Sequence, residues 1–320
     1  MDLHTAELPP VLQAEAETAW RNILERAHDV PALEAAAAAE PVRSQLPLVL
    51  SCSPFAADLA RRRPELLLEM LDSPILQESL PETAFAGELD ALLMQEGAEL
   101  LPVLRRFRAR HMLRILWRDF CRLADTLETV RDTSLLAEAA IAAALRVTQA
   151  SLEERFGVPR GEDSGEPQQL IVLAMGKLGA RELNLSSDID LIFTYPEAGR
   201  TDGADRTLSN EEFFTRVGQG VITALDQVTV DGFVFRVDMR LRPYGESGAL
   251  VHNFAALEEY YEDQGRDWER SAMIKARPVT GVPECAARFM GALRPFVYRR
   301  FVEFGVIESL RGMKRMISSD

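Results

Sequence analysis

The spacing of apolar residues changes character partway along this chain, and the change limits what each part can fold into. From Val11 to about Phe156, leucine and alanine dominate and apolar residues recur at three- and four-residue intervals, the pattern of helices that bury one face. The prolines at 31, 41, 47, 54, 64, 74, 81 and 102 fall between these segments or at their starts, where a missing N–H does least harm. After a loop rich in Gly, Glu, Asp and Pro, GVPRGEDSGEPQQ (157–169), the period shortens. LIVLAMG and IDLIFTY are short apolar runs of strand type, and GFVFRVDMRLRP (232–243) alternates as a strand. Between them, SNEEFFTRVGQGVITALDQVT has helical spacing, with Ser209 and Asn210 as caps and acids in the first turn. Helical spacing returns from His252, through ALEEYYEDQ, RDWERSAMIKA and the long run that begins PECAARFMGALRPF. The expectation is an α+β protein: an N-terminal α-helical domain over 1–157, a mixed-sheet core over 158–252 and a helical extension over 253–320.

One segment of the helical region stands apart. VLRRFRARHMLRILWRDFCRLADTLETV reads as a single helix on which Arg106, Arg110, Arg114, Arg118 and Arg122 recur every four residues as a basic stripe. A solvated or salt-bridged face is the expected role; a stripe that meets an acidic partner or the other domain is the alternative.

Charge and cysteine content narrow the partners. Asp and Glu outnumber Lys and Arg by 50 to 36, a formal net charge of −14 that works against binding to a nucleic-acid backbone. Cys52, Cys121 and Cys285 are far apart, without metal-ligand spacing, and suit a reduced, cytoplasmic setting. The opening MDLHTAELPP lacks the basic start and apolar centre of an export signal, and no uninterrupted apolar run reaches the ~18 residues of a membrane span, so a protein off the membrane is expected.

The chemistry concentrates in the region of short strands. Alternation along a strand sends Asp188 and Asp190 to one face and Ile189 and Leu191 to the other, with the acids' Cα atoms about 6.5–7 Å apart. Two like charges that close repel unless a cation lies between them. In the later strand Arg236, Asp238, Arg240 and Arg242 share a face, a lone acid among arginines. If this strand pairs beside the first, Asp238 completes a cluster of three carboxylates, the hard-oxygen environment that Mg²⁺ prefers when substrate phosphates supply further ligands. Two such ions could clamp an in-line displacement at phosphorus. Gly176 and Lys177 end the first apolar run before LGARELN, a candidate helical turn whose N–H groups could face a phosphate. The Gly-x4-Gly-Lys-Ser/Thr pattern of a P-loop is missing.

This order of strand, Gly-Lys, Asp-x-Asp strand, helix and Asp strand resembles the polymerase-β-like nucleotidyltransferases. GKLGARELNLSSDIDLIF, FRVDMRLRPYGESGALV and YYEDQGRDWERSAMIKARPV, with SPFAADLARRRPELL and RRFRARHMLRILWRD upstream, look like the glutamine synthetase adenylyltransferase family over nearly all of the chain. That resemblance implies a relation to the first of two nucleotidyltransferase copies, the one that removes AMP from a tyrosine of glutamine synthetase by phosphorolysis. ESLRGMKRMISSD ends the sequence inside a helical pattern, so a fragment without the second copy is expected. Asp188, Asp190 and Asp238 would be catalytic Mg²⁺ ligands, and Gly176 and Ser187 would help hold phosphates, with Lys177 where the wider superfamily has Gly or Ser. Arg240 and Arg242, on the Asp238 face, and Lys275 and Arg277 are candidates for holding the attacking phosphate and the nucleotide. Glutamine synthetase, a PII-type signal protein, ADP or ATP and inorganic phosphate are the implied partners. Two other functions compete: forward transfer of AMP from ATP to glutamine synthetase, and a non-catalytic module that only senses nucleotide.

Overall fold

A computed structural model describes residues 3–5, 8–203, 206–298, 308, 311–312 and 315. The first half is helical: α1 Pro10–Leu24, α2 Val30–Ala38, α3 Val42–Cys52, α4 Pro54–Arg62, α5 Pro64–Leu71, α6 Ala84–Leu93, α7 Leu100–Phe120 and α8 Thr126–Phe156. Caps and prolines set several of these starts. Asp29 accepts from Ala32 N ahead of α2 and Ser53 from Ala56 N ahead of α4, and Pro31, Pro54 and Pro64 occupy first-turn positions. Pro47 departs from that rule and lies inside α3.

The segment expected as one long basic helix is two. α7 stops at Phe120 because Arg122 adopts a left-handed φ of 55°, and Asp125 then caps the next helix by accepting from Glu128 N at 2.8 Å. The stripe is salt-bridged, as expected, but only partly solvated. Arg106 and Arg110 both reach Glu69, whereas Arg114 and Arg118 are buried. Arg114 donates to Asp132 Oδ2 at 2.7 Å and to the Ile75 and Glu78 carbonyls; Arg118 donates to Glu128 and to the Leu76 and Leu123 carbonyls. The acidic partners of the stripe are therefore within the fold, and buried guanidinium groups are tolerated because carboxylates and carbonyls answer them.

The chain falls into two units, one made of Met1–Glu88 and Arg105–Leu136, the other of Leu89–Leu104 and Ala137–Asp320. Helices α7 and α8 each contribute to both. By length and composition α8 is apolar enough to cross a membrane, but Leu135, Leu136, Ile141, Ala144 and their neighbours are buried in the protein, as in a core helix.

The second unit carries seven short strands among the described residues: β1 Pro159–Gly161, β2 Ile171–Ala174, β3 Ile189–Tyr195, β4 Gly199–Thr201, β5 Val237–Asp238, β6 Val251–Asn253 and β7 Arg277–Pro278. Its further helices are α9 Gly176–Gly179, α10 Asn210–Asp226, α11 Phe254–Asp263, α12 Asp267–Met273 and α13 Pro283–Val297. The Gly- and acid-rich stretch read as a loop contains β1, which pairs antiparallel with β4. The main sheet runs β5-β3-β2-β7, antiparallel between β2 and its neighbours. Both β5 and β6 lie parallel to β3, so they share one of its edges end to end.

On one sheet face Phe193 and Tyr195 pack under α10, with Gly218 so close that a Cβ there would come 2.8 Å from the Phe193 ring. On the other, Ile171, Leu173 and Ile192 join Leu257, Tyr261, Phe289 and Phe296 from α11 and α13. Each such buried large side chain contributes about 1.5–3 kcal/mol. Ser209 caps α10 through Glu212 N, while Asn210 lies inside the helix and donates to the Arg160 and Glu197 carbonyls. Most of the helical run expected after Tyr298 lies outside the described residues.

The strand expected over 232–243 shrinks to Val237–Asp238. Gly232, at φ 86°, closes a turn on Thr229, and the Val234 and Phe235 N–H groups both go to Leu225 O at the end of α10. Beyond Asp238 the chain turns at once, with Arg242 N bonded to Met239 O, and Pro243 has no N–H for a ladder. Alternation was thus a true signal of side-chain placement around Asp238 but not of a long strand.

Candidate active site

The site forms where β2 ends and β3 begins, beside β5. Ile189 is opposite Val237 and Asp190 is opposite Asp238, so the pairing that would complete a three-carboxylate cluster is present. Asp188, one residue before β3, follows the same register and meets Arg236, whose Nε donates to Asp188 Oδ1 at 2.5 Å. Arg240 takes Asp238 in the same way: its side chain reaches both carboxylate oxygens, and its backbone N donates to Asp238 Oδ1 at 2.8 Å. Asp190 has no such arginine partner among the described residues.

Electrostatics separate the three acids. Burial raises the Asp190 carboxyl above the usual range, and repulsion from Asp238 and Asp188 adds to it. Hydrogen bonds from Arg240 hold Asp238 below that range against the opposing effect of burial. The half-buried acid with raised proton affinity therefore sits directly beside one kept ionised by a basic neighbour.

Gly176 abuts the same carboxylate. It opens α9 at a left-handed φ of 53°, and a Cβ there would lie 2.8 Å from Asp190 Oδ2. A side chain at 176 would fill the space in front of the acid. The helical turn expected after Gly-Lys starts on the glycine itself. Lys177 Nζ donates to Ser187 Oγ at 3.2 Å, and Ser187 Oγ donates to Asn184 Oδ1 at 2.6 Å, which ties α9 to the segment leading into β3.

The remaining sequence candidates stand around this centre in different ways. Arg242 braces a turn, donating to Met239 O and Glu246 O, while its buried Nε has no hydrogen-bond partner among the described residues. Lys275 pairs with Glu182 at 2.7 Å. Arg277 is held by Glu138 and donates to the Leu178 and Gly179 carbonyls at the end of α9. Asp188, Asp190, Asp238, Gly176, Lys177, Ser187 and Arg240 are thus linked by register or contact, whereas Lys275 and Arg277 are engaged by acids outside that set. Sequence reading overlooked Arg236, Asn184 and Glu138 as site residues. Only Arg236 left a usable signal, because a residue two before Asp238 must face the residue two before Asp190.

Among the described residues no three His, Cys, Asp or Glu side chains are gathered around one metal-sized point. The donor set nevertheless suits a hard divalent cation: three carboxylates on or beside two paired strands, two of them cross-strand partners, with glycine leaving room beside one. As they stand, Asp188 and Asp238 direct oxygens to arginines instead.

Comparison with known proteins places the chain in a family by its sequence. A family model described as glutamate-ammonia ligase adenylyltransferase matches residues 43–292. The chain is similar to the bifunctional glutamine synthetase adenylyltransferase/adenylyl-removing enzyme of Pseudomonas aeruginosa, 51% identical over 323 residues that cover 98% of this chain and 33% of that protein. The enzyme of the same description from Nitrosococcus oceani is 52% identical over 275 residues, covering 85% and 28% respectively. That of Shewanella loihica is 42% identical over 315 residues, covering 98% and 32%. The chain spans about a third of the length of these curated relatives. With a family model matched over more than half of its residues and relatives of this identity, the chain belongs to the glutamate-ammonia ligase adenylyltransferase family.

Proposed function

We propose that this chain is the adenylyl-removing unit of such an enzyme, with a polymerase-β-like nucleotidyltransferase site that releases AMP from an adenylylated tyrosine of glutamine synthetase by phosphorolysis. The observation that carries the reading is the register of Asp190 against Asp238, next to Asp188 and the Gly176 turn.

An oxygen of inorganic phosphate attacks the phosphorus of the AMP–tyrosine phosphodiester; the new P–O bond makes ADP as the bond to the phenolic oxygen breaks. The phenolate, with a pKa near ~10, takes up a proton from solvent or from the phosphate. Phosphate is already ionised near neutral pH, so no strong base is required, and the protein's task is to orient and neutralise. Asp188, Asp190 and Asp238 are the residues that would hold Mg²⁺, which when bound supplies positive charge at the reacting phosphate and at the departing oxygen. Arg240, exposed beside Asp238, is placed to leave that carboxylate for a phosphate oxygen. Lys177 and Ser187 present a cation and a hydroxyl from the α9 side. Lys275 and Arg277 take part only by exchanging Glu182 and Glu138 for a ligand. A PII-type protein is the proposed regulator, following the family resemblance.

The direction of reaction is tested with two assays in the presence of Mg²⁺. Adenylylated glutamine synthetase plus phosphate should yield ADP, and labelled ATP plus unmodified glutamine synthetase should leave the synthetase unlabelled. Label on the synthetase without ADP release in the first assay would reverse the assignment, and turnover in neither would leave only nucleotide sensing.

A further inference from the structure

The loop that leaves Asp238 ends in an unusual residue. Arg242, Pro243, Tyr244 and Gly245 form a β-turn closed by Gly245 N donating to Arg242 O at 2.8 Å. Tyr244 is third in it, at φ 59° and ψ 12°, a position that in such turns favours glycine. A tyrosine is disfavoured in that conformation, and strain of this kind survives only where the surroundings impose it. They do so here. Arg242 spans the turn from Met239 O to Glu246 O, and Ser247 Oγ donates to Tyr244 O at 2.8 Å. The Tyr244 ring stands edge-on to Tyr260, with centroids 4.7 Å apart. Tyr260 is itself fixed, since its hydroxyl donates to the buried Glu269 at 2.7 Å and weakly accepts Tyr244 N at 3.4 Å.

All of this bracing produces an aromatic ring that the fold does not cover: Tyr244 is 59% exposed. A tyrosine kept for packing would be buried, and a turn kept for its backbone alone would favour glycine. The same loop carries Arg240, the group proposed to meet a phosphate oxygen. An exposed aromatic ring, held by a braced turn on the loop that also bears Arg240, has the form of a base-stacking platform.

We infer that Tyr244 is the platform on which the nucleobase stacks, a subsite apart from the groups that hold the phosphates; this rests on the nucleotide-binding part of the function proposed above. Tyr244 is a positioning residue for the adenine and not part of the chemistry at phosphorus. Stacking of a base on an aromatic side chain is sequence-tolerant and strong enough to change affinity about tenfold or more.

The test compares two ligands that share a diphosphate and differ in the base. ADP and inorganic pyrophosphate, each with Mg²⁺, are titrated calorimetrically into the unaltered chain and into Tyr244→Gly, Tyr244→Phe and Tyr244→Trp. Tyr244→Gly keeps a residue suited to the turn and removes the ring. It should weaken ADP about tenfold and leave pyrophosphate unchanged, whereas the Phe and Trp variants should retain ADP affinity. Equal weakening of both ligands by Tyr244→Gly would mean that the ring merely holds the loop, and would overturn the inference. So would unchanged ADP affinity, or a loss confined to binding of adenylylated glutamine synthetase, which would assign the ring to the protein's tyrosine. If the unaltered chain binds neither ligand, the nucleotide-site reading falls and this subsite with it; if it binds ADP and Tyr244→Gly binds it equally well, only the subsite falls.

Discussion

Asp190 and Asp238 are direct partners across two parallel strands, a half-buried acid facing one that Arg240 keeps ionised. Like charges so placed destabilise a fold, so their presence points to a ligand that offsets them. Asp190→Asn should therefore lower phosphorolysis by at least ~100-fold, the scale on which a lost electrostatic group acts at a reacting centre. The same change should leave the melting temperature equal or higher, because it removes repulsion without altering shape. Activity close to that of the unaltered chain, measured as ADP release from adenylylated glutamine synthetase, would remove the acid pair from the site.

Gly176 gives a second check on the same carboxylate from the opposite side. Its φ of 53° and the 2.8 Å that would separate an added Cβ from Asp190 Oδ2 penalise any side chain twice. Gly176→Ala should cost roughly 1–2 kcal/mol from the left-handed backbone alone and should also depress turnover by displacing Asp190. Lys177→Ala, next in sequence and exposed, loses the Ser187 contact and an attraction to Asp190 without backbone strain, and should stay close to the stability of the unaltered chain. A denaturant series on the two variants separates backbone strain from loss of charge.

Much of the acid site could be read from the chain because strand parity is a local rule. Asp188 and Asp190 had to share a face, and Asp238 had to join them once β5 paired with β3. What could not be read depended on contacts far apart in sequence. Arg277 looks like any basic residue near a motif, yet Glu138, 139 positions earlier, engages it in the folded chain. The arginine stripe is salt-bridged as its spacing suggested, but its burial was hidden for the same reason. A four-residue spacing fixes which side of α7 the arginines occupy, but Asp132, Glu128 and the carbonyls of Ile75, Leu76 and Glu78 decide that Arg114 and Arg118 are interior. The long strand at 232–243 failed because Pro243 and the anchoring of Val234 and Phe235 to Leu225 outweigh its alternating pattern.

Arg114 and Asp132 form a buried ion pair, both nearly inaccessible, and Asp132 also accepts from Arg131. Removing one partner of such a pair strands the other charge in the interior, which typically costs about 3–5 kcal/mol. Asp132→Ala should accordingly unfold the first unit at much lower urea concentration. Replacing both residues, as Arg114→Met with Asp132→Leu, should recover a good part of that loss, since no uncompensated charge remains. If the double variant is no more stable than Asp132→Ala, the carbonyl bonds of Arg114, not its pairing with Asp132, dominate.

His111 makes the helical unit sensitive to acid. Its ring is fully buried between Phe85 and Phe107, at centroid distances of 4.8 and 4.5 Å, with Nε2 3.1 Å from Glu88. Burial lowers its pKa, Arg114 and Arg110 push the same way, and the Glu88 carboxylate only partly opposes them. The Glu88 pKa is lowered as well: burial alone would raise it, but His111 and the neighbouring arginines overcome that. An imidazole kept neutral in the fold titrates near ~6.5 once unfolded, so below that pH the unfolded chain binds more protons and stability falls. The histidine's contribution is present above its unfolded pKa and is lost as pH drops, and the depressed Glu88 adds to the loss further down. His111→Phe, a substitution suited to an aromatic niche, should flatten the decline of the urea midpoint between about pH 7 and pH 5 by up to one proton's worth of slope. Some slope should persist, because burial also lowers His252. A variant whose midpoint falls with pH as steeply as that of the unaltered chain would show that His111 is not the acid-sensitive group.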